Sequence, residues 1–430
     1  MRVAFVTPRY GPDVMGGAET AARQLAEHLV ADLGWEVEAY STCALDHITW
    51  DNVLPPGDSV LGGVRVHRFP AVGGRPPDFY ALDGRLRVAP AAATARQADR
   101  WVDLNGPVTP ALVDALGSCQ ADVVAFYPYL HYPVVRGIQA VRAPAVLHPA
   151  AHDEPAFYLP VFRSTYAAAD ALCYHTLAER RLVQRVHRVA DRFQMVLGLG
   201  VGEPVEGGRA GGELLGIGDR PYVVSVGRVD EHKGSAMLAA FFRRYKEQHP
   251  GPLALALVGP VSARLPDHPD IVVTGVVDEP DKWDLVRDAT VAVSPSALES
   301  FSLVVLEAWA ERVPVVVNAT CDPTREHCQR SGGGLWFGSY RQFEAVLDRL
   351  MGDPALRRRL GERGRAYVDH HYQWPALIRR YARFVEAVAE RGRTVPVGSR
   401  PVAGGGRTVA GGGRTAPVRS EPAARAAPAR

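Results

Sequence analysis

The chain has 430 residues, 47% of them apolar, which excludes a peptide, a small disulfide scaffold and long disorder and leaves room for two large domains. The formal net charge is only +2, so bulk charge demands neither nucleic acid nor a membrane surface. That balance is uneven: Gly392–Arg430 holds seven Arg against one Glu, leaving 42 basic and 46 acidic residues in a mildly acidic body.

Val3–Thr7 is a short, apolar, β-branched run stopped by Pro8, and reads as a buried strand. A loop ending in Gly16 and Gly17 follows. Ala18–Leu33 then carries Ala22, Leu25, Ala26 and Leu29 on one helical face, and Gly34 ends it. Glu36–Tyr40 is the next strand. Strand, helix and strand within ~40 residues make a βαβ unit and hence a parallel sheet. The theme recurs at Asp122–Phe126 and Ala145–His148. Trp50–Asn105 is rich in Pro and Gly and reads as long and irregular. Its aromatics Phe79, Tyr80 and Trp101, with Tyr127, Tyr129 and Tyr132, fit either the lining of a pocket or the core.

Gly202–Pro221 has no apolar period and reads as a linker. A second series follows: strands at Tyr222–Val226, Leu253–Val258, Ile271–Thr274, Val291–Val293 and Val313–Val317. Helices are expected at Ser235–Gln248, Trp283–Asp288, Leu303–Glu311 and Phe343–Leu350. The expected divisions are 1–201, a linker at 202–221, a second domain at 222–371, a closing helix at 372–391 and a basic Gly/Pro/Ala/Arg tail at 392–430. Two doubly wound α/β halves would face a cleft, with ligands beyond the carboxyl ends of the strands.

The five cysteines, Cys43, Cys119, Cys173, Cys321 and Cys328, are odd in number and contain no CxxC pair. Neither a disulfide framework nor a zinc site is indicated, and reduced thiols suit the cytosol. Met1–Tyr10 is too brief an apolar start for a signal peptide, and no stretch approaches the ~18 apolar residues of a spanning helix.

The strongest chemical signal is Glu299-Ser300-Phe301-Ser302-Leu303 leading to Glu307. Ser302 is placed to cap the helix that follows, and the free N–H groups around Ser302 and Leu303 suit a phosphate. Glu307 lies ~7 Å further along the axis, at 1.5 Å per residue, in reach of a ribose diol. Its apolar neighbours mean that an ionised carboxylate there needs a partner. Glu299 would meet whatever hangs beyond the phosphates. The second signal, Gly227-Arg228 with Lys233, follows a strand. Gly227 admits close backbone approach, and Arg228 and Lys233 supply two cations for a diphosphate. The chain holds only three Lys against 46 Arg, so a Lys in a glycine-framed loop is notable. Gly16-Gly17 lacks the GxGxxG pattern of a nicotinamide enzyme. His152, after an apolar strand, sits where a cleft would be and can hydrogen-bond a sugar hydroxyl. No pattern around it or elsewhere is that of a metal site.

Together these residues resemble the family 4 glycosyltransferases, which are retaining, nucleotide-sugar-dependent enzymes of GT-B fold: α/β, with two Rossmann-like domains facing a central cleft. The resemblance spans roughly Met1–Arg391. It implies that Gly16 and Gly17 approach the donor phosphates, that His152 lies near the transferred sugar, and that the segment Thr274–Val277 lies near the base. It also implies that Trp374 and its helix cross back to the first domain. Where many members have Gly, this chain has Ser302. The expected reaction moves a sugar from a nucleoside-diphosphate sugar to an acceptor hydroxyl without metal or other cofactor. Arg228, Lys233 and the helix start would neutralise the leaving group, while Glu299 and His152 position the sugar. No nucleic-acid partner is expected, and the expected location is cytoplasmic. Peripheral attachment to the inner membrane face stays open for a lipid-linked acceptor. The rival readings are a catalytically silent sugar-nucleotide-binding protein and a GT-B epimerase.

Overall fold

The computed structural model describes residues 1–394, apart from Met15 and Glu206. Eight strands form the first sheet: β1 (Arg2–Val6), β2 (Glu36–Thr42), β3 (Gly57–Leu61), β4 (Val64–Phe69), β5 (Val123–Phe126), β6 (Ala145–Leu147), β7 (Ala171–Tyr174) and β8 (Phe193–Val196). Their order is β3-β4-β2-β1-β5-β6-β7-β8. Every neighbouring pair is parallel except β3 and β4. Six strands form the second sheet: β9 (Tyr222–Val226), β10 (Ala254–Val258), β11 (Ile271–Gly275), β12 (Val291–Ser294), β13 (Val315–Asn318) and β14 (Gly334–Phe337). Their order is β11-β10-β9-β12-β13-β14, and all pairs are parallel.

The central strands are continuous apolar runs because helices cover both faces of the sheet. All five residues of β10, Ala-Leu-Ala-Leu-Val, are buried. Strand order reverses at β1, which lies between β2 and β5, and at β9, which lies between β10 and β12. A doubly wound sheet opens a crevice at such a point, beyond the carboxyl ends of its strands. The two crevices set the position of the site.

The two lobes share one apolar core. Leu199, Val201, Tyr372, Trp374, Leu377 and Tyr381 belong to the same buried cluster as Val3, Phe5 and Val224. The chain crosses back at Val201, whose N–H donates to the Tyr372 carbonyl at 3.0 Å. The helix Trp374–Thr394 then lies on the first lobe. Trp374 stacks on His28 with ring centroids 4.0 Å apart, and Tyr381 Oη lies 3.0 Å from His148 Nε2. Gly200 has no side chain because a Cβ there would overlap the Trp374 indole. The helix runs three residues past the expected Arg391. The remainder of the expected tail lies outside the described residues.

Trp50–Asn105 is not irregular. It holds the β3–β4 hairpin and the helices Pro77–Leu86 and Ala95–Asn105. The hairpin strand β3 is mostly exposed, so it carries no apolar signature to read. Strands β7, β8 and β14 and the helix Pro354–His371 were likewise not among the expected elements. The aromatics divide: Phe79, Trp101, Tyr127 and Tyr129 are buried, whereas Tyr80 is exposed. Gly202–Pro221 contains a short helix, Gly211–Leu214, and is fastened to the second lobe. The N–H of Arg209 donates to Asp284 at 3.0 Å and that of Gly211 to Asp288 at 2.8 Å. Among the described residues, no helix is long and apolar enough to cross a membrane.

Trp374 is 8% exposed and packs the start of the returning helix against His28 and Gly200. Trp374→Ala is expected to cost about 3–5 kcal/mol, the range for removing a large buried aromatic. The check is the melting temperature. An unchanged value would mean that the helix is held without it.

Candidate functional site

The two crevices meet in one cavity of about 550 Å³. Its lining brings together Gly16, Gly17, His152, Gly227, Arg228, Lys233, Glu299, Ser300, Phe301, Ser302, Leu303 and Glu307. Val277 is the exception. It follows the edge strand β11 and packs against the core instead.

The loop after β9 is built around Gly227, whose φ of 133° favours glycine. Asp230 pins this loop. One carboxylate oxygen accepts the Lys233 N–H at 2.7 Å, and the other pairs with Arg228 Nε at 3.1 Å. Lys233 Nζ reaches across to Glu299 Oε1 at 2.6 Å. The cation from the first crevice loop and the carboxylate from the second are therefore partners.

The loop after β12 carries Glu299–Ser302 into the helix Leu303–Ala310. The first N–H groups of this helix have no partner inside it and bring positive partial charge to the cavity. Ser302 stands at the N-cap, but it does not cap. Its φ is 77° and its side chain makes no capping hydrogen bond. The left-handed backbone explains why glycine suits this position. The buried Ser302 hydroxyl has no hydrogen-bond partner among the described residues, and Ser302 belongs to the cavity lining.

Glu307 has the partner that its apolar surroundings require. Lys282 Nζ lies 3.0 Å from Glu307 Oε1 and 2.5 Å from Glu279 Oε1. Burial works to lower the Lys282 pKa, but the two carboxylates outweigh it and raise the value. Lys282 also lies 4.8 Å from the Trp283 ring centroid. The rarity of Lys in the sequence applies to Lys282 as much as to Lys233.

On the opposite wall, the glycine loop after β1 is held by Arg9 and Glu19. Their side chains are 7% and 8% exposed and pair at 2.6 Å. A Cβ on Gly16 would collide with the Glu19 carboxylate, whereas Gly17 faces open space. Gly16 is thus required by packing, and Gly17 leaves room in the cavity.

His152 stands on the loop after β6 and is about a third exposed, with Nδ1 3.8 Å from Glu154 Oε1. Burial opposes its charge, but Glu154, with Glu299 behind it, raises the His152 pKa above the usual value. Three residues that sequence reasoning missed hold this wall. Glu179 accepts the Ala151 N–H at 2.8 Å and the His175 N–H at 2.6 Å. His175 Nδ1 lies 3.3 Å from Ser300 Oγ, and Thr176 Oγ1 donates to the Ser300 carbonyl at 3.2 Å. The glutamate-bearing loop is therefore tied to both lobes. Burial lowers the His175 pKa to about 3, so the ring is neutral. Its signal in the sequence was a His at the end of an apolar strand, but that strand, β7, was itself not read.

Among the described residues no group of three or more His, Cys, Asp and Glu side chains could hold a metal ion. The arrangement offers paired cations, a helix start and two carboxylates in one cleft. That set can hold a diphosphate at one end and polyhydroxyl groups around it.

Comparison with known proteins agrees with this geometry. Residues 213–367 match the family model described as glycosyl transferases group 1. The chain is 22% identical over 411 residues to an uncharacterized glycosyltransferase of Methanocaldococcus jannaschii, covering 88% of this chain and 96% of the relative. The fold is similar to that of sucrose-phosphate synthase from Thermosynechococcus elongatus, with TM-score 0.69 and 19% identity over 91% of this chain and 99% of that one. It is also similar to the E. coli trehalose-6-phosphate structure bound with UDP-2-fluoro glucose, with TM-score 0.67 and 14% identity over 90% and 99%. The architecture is GT-B, residues 213–367 are a glycosyl transferases group 1 domain, and the chain is a glycosyltransferase.

The carboxyl of Glu179 is fully buried, and burial pushes its pKa from 4.5 up to about 7 against the backbone hydrogen bonds that favour the ion. The proton is thus held more tightly in the folded chain than in the unfolded one. The stability this adds is fully present below about pH 4.5 and is lost as pH rises through about 7. Glu179→Gln abolishes this titration and turns an amide N–H2 toward a backbone N–H, at a cost of about 1–3 kcal/mol. Melting temperatures should show a larger wild-type advantage near pH 5 than near pH 8. An equal advantage at both would refute the assignment.

Proposed function

We propose that this chain moves a sugar from a nucleoside-diphosphate sugar to an acceptor hydroxyl, with retention and without a metal, in the manner of family 4. The observation that carries this reading is the convergence of Arg228, Lys233 and the start of helix Leu303–Ala310 on one cavity shared with Glu299 and His152. The donor class draws support from the E. coli structure of similar fold, which is bound with UDP-2-fluoro glucose.

In this reading the diphosphate lies between Arg228, Lys233 and the helix start. As the bond from the anomeric carbon to the diphosphate oxygen breaks, its electron pair leaves with the diphosphate. Those groups stabilise the growing charge, the task that a divalent cation performs in other designs. The acceptor oxygen bonds to the same face of the anomeric carbon. Its proton passes to the departing phosphate oxygen, the nearest base on that face. Glu299 is held by Lys233 at 2.6 Å and is assigned to sugar hydroxyls rather than to covalent attack. His152, with its raised pKa, donates a hydrogen bond from the opposite wall. Glu307, steadied by Lys282, receives the ribose diol. The five unpaired thiols support a cytoplasmic location.

The test is thermal shift against a panel of nucleoside diphosphates and their sugars in EDTA, followed by turnover. One sugar nucleotide should stabilise the wild type, and Lys233→Ala should lose that shift. Turnover in the variant should fall by about 10²–10³-fold, the size of effect seen when one oxyanion-stabilising donor is removed. NMR of the product should show the anomeric configuration of the donor. A strict need for added metal, or an inverted product, would refute the respective part of the proposal.

A further inference from the structure

Four loops at the carboxyl end of the first sheet carry a second group of bases beside the cavity. Arg9 follows β1, His47 follows β2, Arg75 follows β4 and His131 follows β5. Asn105 joins two of them by contact: its Oδ1 accepts from Arg75 Nη2 at 2.7 Å, and its Nδ2 lies 3.4 Å from His131 Nδ1 and donates to the Leu130 carbonyl at 3.4 Å. Leu130 lies in the cavity lining. Arg75 and His131 are therefore one residue removed from the cavity, and the charges of Arg9, Arg228 and Arg75 act on His47.

The carboxylates nearby are occupied. Glu19 pairs with Arg9 at 2.6 Å, and Asp230 pairs with Arg228 at 3.1 Å. Asp46 accepts the N–H groups of Ile48 and Thr49, each at 2.7 Å. Asp83 binds Arg87 at 2.6 Å and the Trp101 indole N–H at 2.9 Å. Arg75 forms no ion pair among the described residues. Its Nη2 donates to Asn105 Oδ1 at 2.7 Å, its guanidinium lies 4.6 Å from the Phe79 ring centroid, and its buried Nε has no partner. Burial lowers its pKa, against the pull of the Tyr80 hydroxyl, which hydrogen-bonds its side chain, and of Asp83 and Asp46. A guanidinium held by a neutral amide, a phenol and an aromatic face, with no carboxylate paired to it among the described residues, is arranged to receive an anion.

We infer that Arg75 binds a negatively charged group on the acceptor, a phosphate monoester or a carboxylate. This rests on the transferase reading and names the acceptor class for the same site. The donor supplies the diphosphate at Arg228 and Lys233. The acceptor anion sits on the loops of the first sheet and fixes which hydroxyl faces the donor sugar.

The experiment uses the full chain saturated with the nucleoside diphosphate that the donor panel selects, so that the donor phosphate site is filled. Sugar phosphates and sugar acids are titrated beside their neutral parent sugars by calorimetry, with wild type, Arg75→Ala and Arg75→Lys. A charged member of a pair should bind at least tenfold more tightly than its neutral parent, and added salt should erode that margin. Arg75→Ala should abolish the margin, and Arg75→Lys should restore part of it. Whether phosphate or carboxylate is preferred identifies the anion. The nucleotide shift should be unchanged in both variants, which checks folding and separates this inference from the donor reading. Equal binding of charged and neutral sugars, or an undiminished margin in Arg75→Ala, overturns the inference. Absence of any nucleotide shift in the wild type instead overturns the transferase reading on which it rests.

Discussion

The arrangement on which the rest of the cleft depends is that each cation the second lobe brings to its lining stands against a carboxylate. Arg228 is matched by Asp230, Lys233 by Glu299 and Lys282 by Glu307. Removing charges from water costs several kcal/mol per ion, and a partner must return most of it. Pairing keeps the cleft formed while storing positive charge for an anion. The geometry of each pair then follows from the loop that carries it. Asp230 and Arg228 share one loop and hold its shape. Lys233 and Glu299 come from different loops and tie the two switch-point strands together. A diphosphate that draws Lys233 away would release Glu299 toward the sugar, so a single exchange of partners couples binding of the leaving group to orientation of the group transferred.

The same economy of partners governs the opposite wall. Arg9 and Glu19 form a buried pair, and their bulk leaves no room for a Cβ at Gly16. The glycine is thus a consequence of the ion pair behind it rather than of phosphate approach alone. Glu179 works differently. It holds Ala151 and His175 through their backbone N–H groups, and its burial makes the ion costly. It shapes the His152 loop without bringing full charge to it. His152 then takes its charge preference from Glu154 and Glu299, which face the cavity.

Much of this was legible in the sequence where local chemistry is dense. The β1, β9 and β10 runs are apolar on both faces, and Gly227, Lys233 and the Glu299–Glu307 spacing follow strands directly. A βαβ pattern with polar residues at strand ends is enough to bring them to one crevice. Strand β3 was missed because it is an exposed edge strand with no apolar alternation to read. Glu179 and His175 were missed because β7 was missed, and with it the loop that positions both. Val277 lies outside the cavity lining because resemblance gives the order of segments, whereas its place after the edge strand β11 is set by sheet order. Arg75 and His47 could not be found from the sequence. They lie 28 residues apart, His47 ahead of the stretch that reads as irregular and Arg75 within it, and only the fold of the first sheet brings both to loops at its carboxyl end.

Ser302 shows how local rules and site requirements meet. A serine at a helix start ordinarily turns its hydroxyl onto the helix's own N–H groups. Here φ is 77°, a region that costs a side-chain-bearing residue roughly 1–2 kcal/mol, and the hydroxyl bonds nothing among the described residues. Two local preferences are thus given up at one residue. What the backbone gains is placement: the turn sets the helix start in one cavity lining with Arg228, Lys233 and Glu299, and leaves the hydroxyl uncommitted. Had the serine capped the helix, it would have consumed a donor that the cleft presents to an anion. The conflict between local and global preference falls at the point where the two crevices meet, which is where a strained residue has most to contribute.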